Sequence, residues 1–140
     1  MRYFLDTNII LGFIRRNVVA QAVAKILRLT DDNEIYVSVV SEGEIWSIAR
    51  QSNWGVSRRN NLLNLLAEYQ RADINDDELI QRYADIDAFS QNKLTDRPLG
   101  VSARNMGKND LWIAASTSLA GASLIKRIKI STTYMVNLLT

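Results

Sequence analysis

The sequence predicts an α/β fold in which helices flank a central, mainly parallel sheet. Three short apolar runs, bounded by polar residues, have the length of buried strands and lie at residues 3–5, 35–40 and 122–125. Longer segments with apolar residues at helical spacing separate these runs. Strands that alternate with helices usually pair in parallel, so this order favours a parallel sheet. The length suits one compact domain, which we assign to residues 1–140.

In the first half of the chain, helices are expected after each of the first two strands. The segment 9–16 continues from the first strand as a helix, and Asn17 is a suitable N-cap for a second one. Ser41 begins the sequence Ser-Glu-Gly-Glu, a capping-box pattern that would start a helix ending near Gln51. The apolar stripe of the second helix is predicted to comprise Val18, Ala22, Val23, Ile26, Leu27 and Leu29.

In the second half, two further helices are expected before a long loop. The first covers 57–72, and the second opens at Asp76 or Asp77. The segment 93–108 contains the single proline and is predicted to be a loop, and 109–119 is predicted to be a helix. The buried side of the helix over 57–72 should carry Leu62, Leu63, Leu65, Leu66 and Tyr69.

Composition excludes several kinds of chemistry. The chain has neither cysteine nor histidine, which removes thiol nucleophiles, disulfides, Cys/His zinc sites and histidine bases. Carboxylates holding a hard cation such as Mg²⁺ or Mn²⁺ stay available. The net charge of +2 permits a nucleic-acid partner without indicating one. Since no apolar stretch approaches the roughly 20 residues of a membrane span, we expect no membrane association and a cytoplasmic location.

Three acidic residues lie at the ends of apolar runs or the starts of helices. Asp6 follows the first strand, Glu44 follows the second, and Asp110 lies in the first turn of an apolar helix. Carboxylates at the carboxyl ends of parallel strands can meet around one divalent metal ion. Each acid also has a local explanation: Asp6 or Asn8 as an N-cap, Glu44 bonding back within the capping box, and Asp110 favouring the helix dipole.

The arginines and tryptophans have ordinary structural explanations. Seven arginines are scattered over the predicted helices and are typical of solvated faces, namely Arg15, Arg16, Arg50, Arg58, Arg59, Arg71 and Arg82. The three tryptophans, Trp46, Trp54 and Trp112, are expected in the core or in an interface rather than as platforms for base stacking.

Taken together, the motifs Leu-Asp-Thr-Asn at 5–8, Ser-x-x-Glu-Ile at 41–45 and Asn-Asp-Leu-Trp-Ile-Ala-Ala at 109–115 resemble those of a PIN domain. They are most similar to the VapC-type toxins of type II toxin–antitoxin pairs. The resemblance covers residues 2–125 and implies a three-layer α/β sandwich. It also implies a metal-dependent endoribonuclease that forms homodimers and is silenced by a cognate antitoxin.

The same resemblance assigns roles to individual residues. Asp6, Glu44 and Asp110 would be the catalytic acids and would hold Mg²⁺ or Mn²⁺, and the substrate would be RNA. The supporting residues would be Thr7, Asn8 and Ser41. A metal ion would lower the pKa of a bound water and so replace the missing histidine base.

The C-terminal tail, residues 126–140, departs from the family pattern. PIN toxins usually carry a fourth acid after the last strand, whereas here Lys126 and Arg127 follow it and no acid occurs after Asp110. A frameshift at codon 126 would explain the tail, since the code permits a Thr-Asp-Lys-Asp-Phe ending in a shifted frame. The alternative is a naturally divergent strand over 131–138. Two cations at this position would oppose metal binding and lower activity.

Two other functions compete with a nuclease. A catalytically dead PIN domain would still dimerise and bind antitoxin or RNA. A phosphotransferase of the haloacid dehalogenase type also begins with an Asp after its first strand, but it needs a second Asp two residues later, where this chain has Asn8.

Overall fold

A computed structural model describes residues 1–28, 32–91, 93, 107–130 and 133–139 of the chain. The predicted loop over 93–108 lies outside this range except at its ends, as does Leu29. The elements in chain order are β1 (Arg2–Leu5), α1 (Thr7–Arg15), α2 (Val18–Leu27), β2 (Glu34–Ser38), α3 (Val39–Gln51), α4 (Val56–Ala67), β3 (Gln70–Ala72), α5 (Asp77–Ser90), α6 (Lys108–Leu119), β4 (Ser123–Ile130) and β5 (Thr133–Leu139). None of these helices is long and apolar enough to cross a bilayer.

The five described strands form one sheet in the order β3-β2-β1-β4-β5. The strands β3, β2, β1 and β4 pair in parallel, and β5 alone runs antiparallel to its neighbour β4. The register aligns Tyr3 of β1 with Ile35 of β2 on one side and with Ser123 of β4 on the other. The predicted mainly parallel α/β sheet is therefore confirmed.

Alternating strand residues supply the two faces of the sheet with separate apolar clusters. Leu5, Val37 and Ile125 belong to the larger cluster, whereas their neighbours Phe4 and Leu124 belong to the smaller one. This is the two-residue period of a strand that is buried on both sides. The larger cluster is filled from α1 to α4 by Ile9, Ile10, Val23, Ile45 and Leu62. The smaller cluster receives Ile113 from α6, so helices cover both faces of the sheet.

Two of the predicted helix starts are correct. The Asn17 side chain accepts a hydrogen bond from the Ala20 N–H at 2.8 Å and so caps α2. Asp76, rather than Asp77, caps α5 by accepting from the Leu79 N–H at 3.1 Å. In both cases the cap satisfies an N–H group of the first turn that has no partner within its helix.

The predicted capping box at Ser41 is wrong. Strand β2 ends at Ser38, and the Ser38 hydroxyl caps α3 by accepting from the Val40 N–H at 3.2 Å. The helix therefore begins before Ser41, which lies fully buried within its first turn. Val39 and Val40 are β-branched and favour a strand, but a suitable cap directly before them allows the helix to start there.

The predicted helix over 57–72 is too long. Helix α4 ends at Ala67, and Gln70–Ala72 form β3, which pairs in parallel with β2. A three-residue edge strand has too little sequence for a visible alternation, so only its pairing partner defines it. Of the predicted buried leucines, Leu62 is inaccessible, whereas Leu63 is 53 % exposed.

The apolar stripe predicted for α2 is only partly buried. Val23 lies in the core together with Ala20, but Val18 and Ile26 are 81 % and 62 % exposed. An apolar stripe on a helix is buried only where another element packs against it. In the described part of the chain, other elements pack against the side of α2 that includes Val23.

The tail forms strand structure in the backbone. β4 extends beyond the predicted residues 122–125 to Ile130, and the strand β5 pairs with it from Thr133 to Leu139. This agrees with the interpretation of 131–138 as a strand from residue 133 onward, and residues 131 and 132 lie outside the described residues. The frameshift hypothesis concerns the coding DNA and stays a prediction.

Candidate metal centre

Asp6 and Lys126 are neighbours at the carboxyl edge of the sheet. Leu5 and Ile125 are paired in the parallel register of β1 and β4, and the Asp6 N–H donates to the Ile125 carbonyl at 2.9 Å. Because Asp6 and Lys126 each follow one of these paired residues, they leave the two strands side by side. Asp6 occupies the N-cap position of α1, yet its side chain makes no capping hydrogen bond. Its predicted role as a cap is therefore not realised.

Glu44 is held from α1 rather than from its own helix. The Thr7 hydroxyl donates to Glu44 Oε1 at 3.1 Å, and Thr7 is nearly inaccessible to solvent. Glu44 lies in the second turn of α3, because the helix begins at Val39. The expected bond from Glu44 back to Ser41 is thus replaced by a contact between two helices. This contact brings Glu44 to the residue that directly follows Asp6.

Asp110 lies in the first turn of α6 and is exposed. Its carboxylate folds back toward the helix start, since a Cβ atom at Gly107 would lie 3.5 Å from Asp110 Oδ2. This position suits the helix dipole. It also leaves the carboxylate free to face the sheet edge, so the structural and the functional explanations of Asp110 do not exclude one another.

The charges of the other two acids act on Asp6. Burial raises the pKa of the Asp6 carboxyl above its usual value, and the nearby Thr7 N–H opposes that rise. The charges of Asp110 and Glu44 raise the Asp6 pKa further, whereas the Lys126 ammonium lowers it. Carboxylates brought together from three distant parts of the chain favour protonation or a bound cation.

A comparison with known protein families assigns this chain to one of them. The sequence profile of the PIN domain matches residues 3–127. The chain belongs to the PIN domain family. A search of curated proteins found no significant match.

This PIN domain is similar in fold to several solved toxin–antitoxin complexes. VapBC2 from Rickettsia felis, bound to a DNA fragment from its promoter, has a TM-score of 0.72 at 21 % identity, over 89 % of this chain and 86 % of that one. VapBC-1 from nontypeable Haemophilus influenzae has a TM-score of 0.68 at 24 % identity, over 90 % and 86 %. A toxin–antitoxin complex from Klebsiella pneumoniae has a TM-score of 0.63 at 17 % identity, over 90 % and 86 %. At these identities the likeness shows the shared fold.

The donor set of this PIN domain fits a hard divalent cation by its chemistry. Three carboxylates and no nitrogen or sulfur ligand are what Mg²⁺ and Mn²⁺ select. Within the described ranges, however, no three acids are placed closely enough to form a metal-binding group. The shared ligand role of Asp6, Glu44 and Asp110 therefore stays a prediction.

Of the predicted supporting residues, Thr7 has a defined contact with the site. Ser41 is fully buried one turn before Glu44, and its hydroxyl has no hydrogen-bond partner in the described part of the chain. Asn8 is exposed in the first turn of α1. The supporting roles of Ser41 and Asn8 stay predictions.

A groove between α1, α2 and α4 was not predicted from the sequence. It encloses a cavity of about 550 Å³, and its apolar wall includes Phe13, Ala24, Leu65 and Tyr69. Basic residues, Arg16, Lys25 and Arg28, line the same cavity. The sequence carried no clear signal for it, because the exposed apolar residues of α2, Val18 and Ile26, do not line the groove.

Proposed function

We propose that this PIN domain is a VapC-like toxin that cleaves RNA with the help of Mg²⁺ or Mn²⁺ and is silenced by an antitoxin. The observation that carries the proposal is the position of Asp6 at the carboxyl edge of the sheet, with Glu44 bonded to the next residue, Thr7, at 3.1 Å. The charges of Glu44 and Asp110 also raise the pKa of Asp6. A cation site explains this arrangement better than three independent caps do. Such a protein is expected to act in the cytoplasm, where its RNA substrate is found.

In this proposal the side chains have distinct tasks. Asp6, Glu44 and Asp110 hold the metal ion, and Thr7 fixes the orientation of Glu44 through its hydroxyl. When bound, a divalent ion supplies a water of lowered pKa and stabilises negative charge on the phosphate. Lys126 opposes the accumulation of positive charge at the same edge. Activity is therefore expected to be lower than in a PIN domain with a fourth acid.

The groove between α1, α2 and α4 supports the antitoxin as a partner. Its apolar wall and basic rim are complementary to an amphipathic segment with acidic residues. A solved structure of similar fold from Klebsiella pneumoniae is a toxin–antitoxin complex, as its name states. A homodimer is also proposed, because Val56, Leu63 and Ile80 are large, apolar and exposed. Light scattering at high micromolar concentration tests the dimer.

A second candidate is a PIN domain that binds partners without cleaving RNA. The position of Lys126 beside Asp6 favours it, since an ammonium group at this edge can replace part of the metal charge. The two candidates make the same prediction for antitoxin binding. They differ in whether RNA is cleaved when metal is added.

The test is RNA cleavage by the purified chain with Mg²⁺ or Mn²⁺, and again with EDTA. Asp110→Asn should abolish the metal-dependent cleavage. Asp77→Asn is the matched control. Asp77 is also an acidic residue in the first turn of a helix, so both substitutions remove one favourable interaction with the helix dipole. Cleavage by the original chain that Asp110→Asn does not reduce would contradict the proposed site. No cleavage with either metal, together with retained antitoxin binding, would select the non-catalytic candidate.

A further inference from the structure

A cluster of arginine and tryptophan side chains lies at the corner where α3 ends and α4 begins. Two tryptophans, Trp46 and Trp54, and two arginines, Arg50 and Arg59, line a cavity of about 280 Å³ together with Ala49 and Asn53. Arg58 extends the cluster over the Trp54 ring. We refer to Trp46, Arg50, Trp54, Arg58 and Arg59 as the Arg–Trp cluster. The predicted core location of the tryptophans is confirmed for Trp54, which is 8 % exposed, whereas Trp46 is half-buried against the same core cluster.

The arginines of the cluster are placed over indole rings. The Arg50 guanidinium lies 5.9 Å from the centre of the Trp46 ring, and that of Arg58 lies 5.4 Å from the centre of the Trp54 ring. Arg50 also donates to the Trp46 carbonyl at 3.2 Å. These contacts limit the rotation of long side chains, so less conformational entropy is lost when a ligand binds them.

The positive charge of the cluster is uncompensated within the described part of the chain. No carboxylate lines the cavity, and Arg50, Arg58 and Arg59 form none of the ion pairs that the described residues contain. Elsewhere on the surface, by contrast, Arg2 pairs with Glu34 and Arg71 pairs with Glu42. Three guanidinium groups without a carboxylate partner among the described residues, beside the half-buried indole of Trp46, are complementary to a ligand that has both anionic groups and flat rings.

We propose that the Arg–Trp cluster binds a single-stranded segment of RNA outside the acidic site. The proposal rests on the proposed function for its substrate class. Arginines would contact phosphates, and a base would stack beside Trp46 or Arg50, as in single-strand binding sites. Arg50 and Glu44 share helix α3 and are six residues apart, or about 9 Å along its axis. Trp46 is two residues from Glu44 and so about 200° around the helix axis, and the cluster would therefore contact RNA away from the cleaved bond.

Other occupants fit the cluster less well. A second copy that used the same patch around a twofold axis would bring like charges together. An acidic peptide would pair with the arginines, but it would not need the indole faces. The observed combination of stacked arginines and partly accessible Trp46 therefore favours RNA.

The experiment measures the fluorescence anisotropy of a labelled single-stranded RNA oligonucleotide in EDTA, where cleavage is silent. Arg50→Gln should weaken binding about fivefold and reduce the dependence of log affinity on log salt by about 0.7, the amount for one lost phosphate contact on a single strand. Arg15→Gln is the matched control, since Arg15 and Arg50 are both in the last turn of a helix. It should change affinity less than twofold.

Trp46→Leu tests the stacking contact separately. It should weaken RNA binding about fivefold and leave the salt dependence unchanged, because no charge is removed. A melting temperature close to that of the original chain shows that the variant is folded. If Trp46→Leu does not fold, the difference between Arg50→Gln and Arg15→Gln still decides the question.

Equal RNA affinities and salt slopes for Arg50→Gln and Arg15→Gln would overturn the proposal. So would a loss of polyglutamate binding in Arg50→Gln with RNA affinity retained, which would assign the cluster to an acidic partner. The proposed function can fail independently. Weakened RNA binding in the cluster variants, without any metal-dependent cleavage by the original chain, would support the cluster and reject the nuclease.

Discussion

Helix α1 begins beside Asp6 at the acidic edge of the sheet, and Arg16 at its other end lines the groove formed with α2 and α4. Each region contains one group whose pKa is raised mainly by burial, the Asp6 carboxyl at the edge and the Tyr69 phenol at the groove. Glu44 and Asp110 add to the rise at Asp6, which Lys126 opposes. At the groove, burial raises the pKa of Tyr69 to about 12. The charge of Glu68 contributes to this rise, and the charge of Arg28 opposes it. A bound cation would therefore stabilise the acidic edge most. An apolar partner with acidic groups would be the best complement to the groove.

The largest expected effect is that of Asp6→Asn, which removes the central acid of the edge. Metal-dependent RNA cleavage should fall by at least about 100-fold. The melting temperature should rise by a few degrees, because the raised pKa of Asp6 means that its ionised form is costly in the folded state. RNA cleavage assays and thermal unfolding measure the two effects.

Asp85→Asn, which changes an exposed carboxylate of α5, is the control for Asp6→Asn. It should alter neither cleavage nor melting temperature. A less stable Asp6→Asn variant would show that the carboxylate has a structural role, and one that still cleaves RNA would remove Asp6 from the site.

Lys126→Ala should have the next largest effect, since it removes the cation that opposes metal binding. We expect Mn²⁺ to bind about five to ten times more tightly at low salt, as the loss of one nearby like charge predicts. The gain should shrink at high salt if the two charges interact through solvent. Calorimetric titration with Mn²⁺ measures the affinity, with Lys25→Ala on α2 as a control. Equal Mn²⁺ affinities in the two variants would mean that Lys126 does not face the metal.

Thr7→Val tests the contact that holds Glu44. Its natural control is Thr117→Val, because Thr7 and Thr117 are both 6 % exposed and each hydroxyl donates one hydrogen bond. Both variants should lose about 1 kcal/mol of unfolding free energy. Only Thr7→Val should also reduce RNA cleavage, by about tenfold. Similar losses of cleavage in both variants would indicate an effect of stability alone.

The smallest expected effect concerns Tyr69 at the groove. Its folded-state pKa of about 12 lies above the usual value of 10.0, so the unfolded chain releases this proton first as the pH rises. Stability contributed by neutral Tyr69 is present below pH 10 and is lost between pH 10 and 12. Since Tyr69 is partly exposed, we expect about 1 kcal/mol of this loss by pH 11. Urea unfolding from pH 9 to 11 should show a shallower decline for Tyr69→Phe, and parallel declines would contradict the burial of the phenol.

Sequence reasoning succeeded where structure depends on neighbouring residues. Asn17 and Asp76 are correct caps because their bonding partners are only three residues away. It failed where a distant segment decides the outcome. β3 exists because β2 is beside it, and a local pattern contains no information about that neighbour. The missed start of α3 is a different case, because its cap, Ser38, is local but is followed by Val39 and Val40, which favour a strand.

The candidate site follows the same rule. Asp6, Glu44 and Asp110 could be named from their motifs, but the effect of the other two charges on Asp6 arises from strand order and helix packing. Thr7 was predicted as a supporting residue, but its bond to Glu44, 37 residues away, could not be predicted from the sequence. The Arg–Trp cluster was missed for a different reason. All of its residues lie within 46–59, and Arg50 and Arg58 each follow their tryptophan by four residues, a spacing that the sequence does show.

The central place of β1 in the sheet has a consequence for the order of folding. β1 is made first, yet it is completed only by pairing with β4, and residues 3 and 123 are aligned in that pairing. Such a high contact order delays assembly until most of the chain has left the ribosome. Asp110 also belongs to this late segment. A partly synthesised chain would thus lack the complete acidic site, and the activity proposed above could begin only after translation of β4.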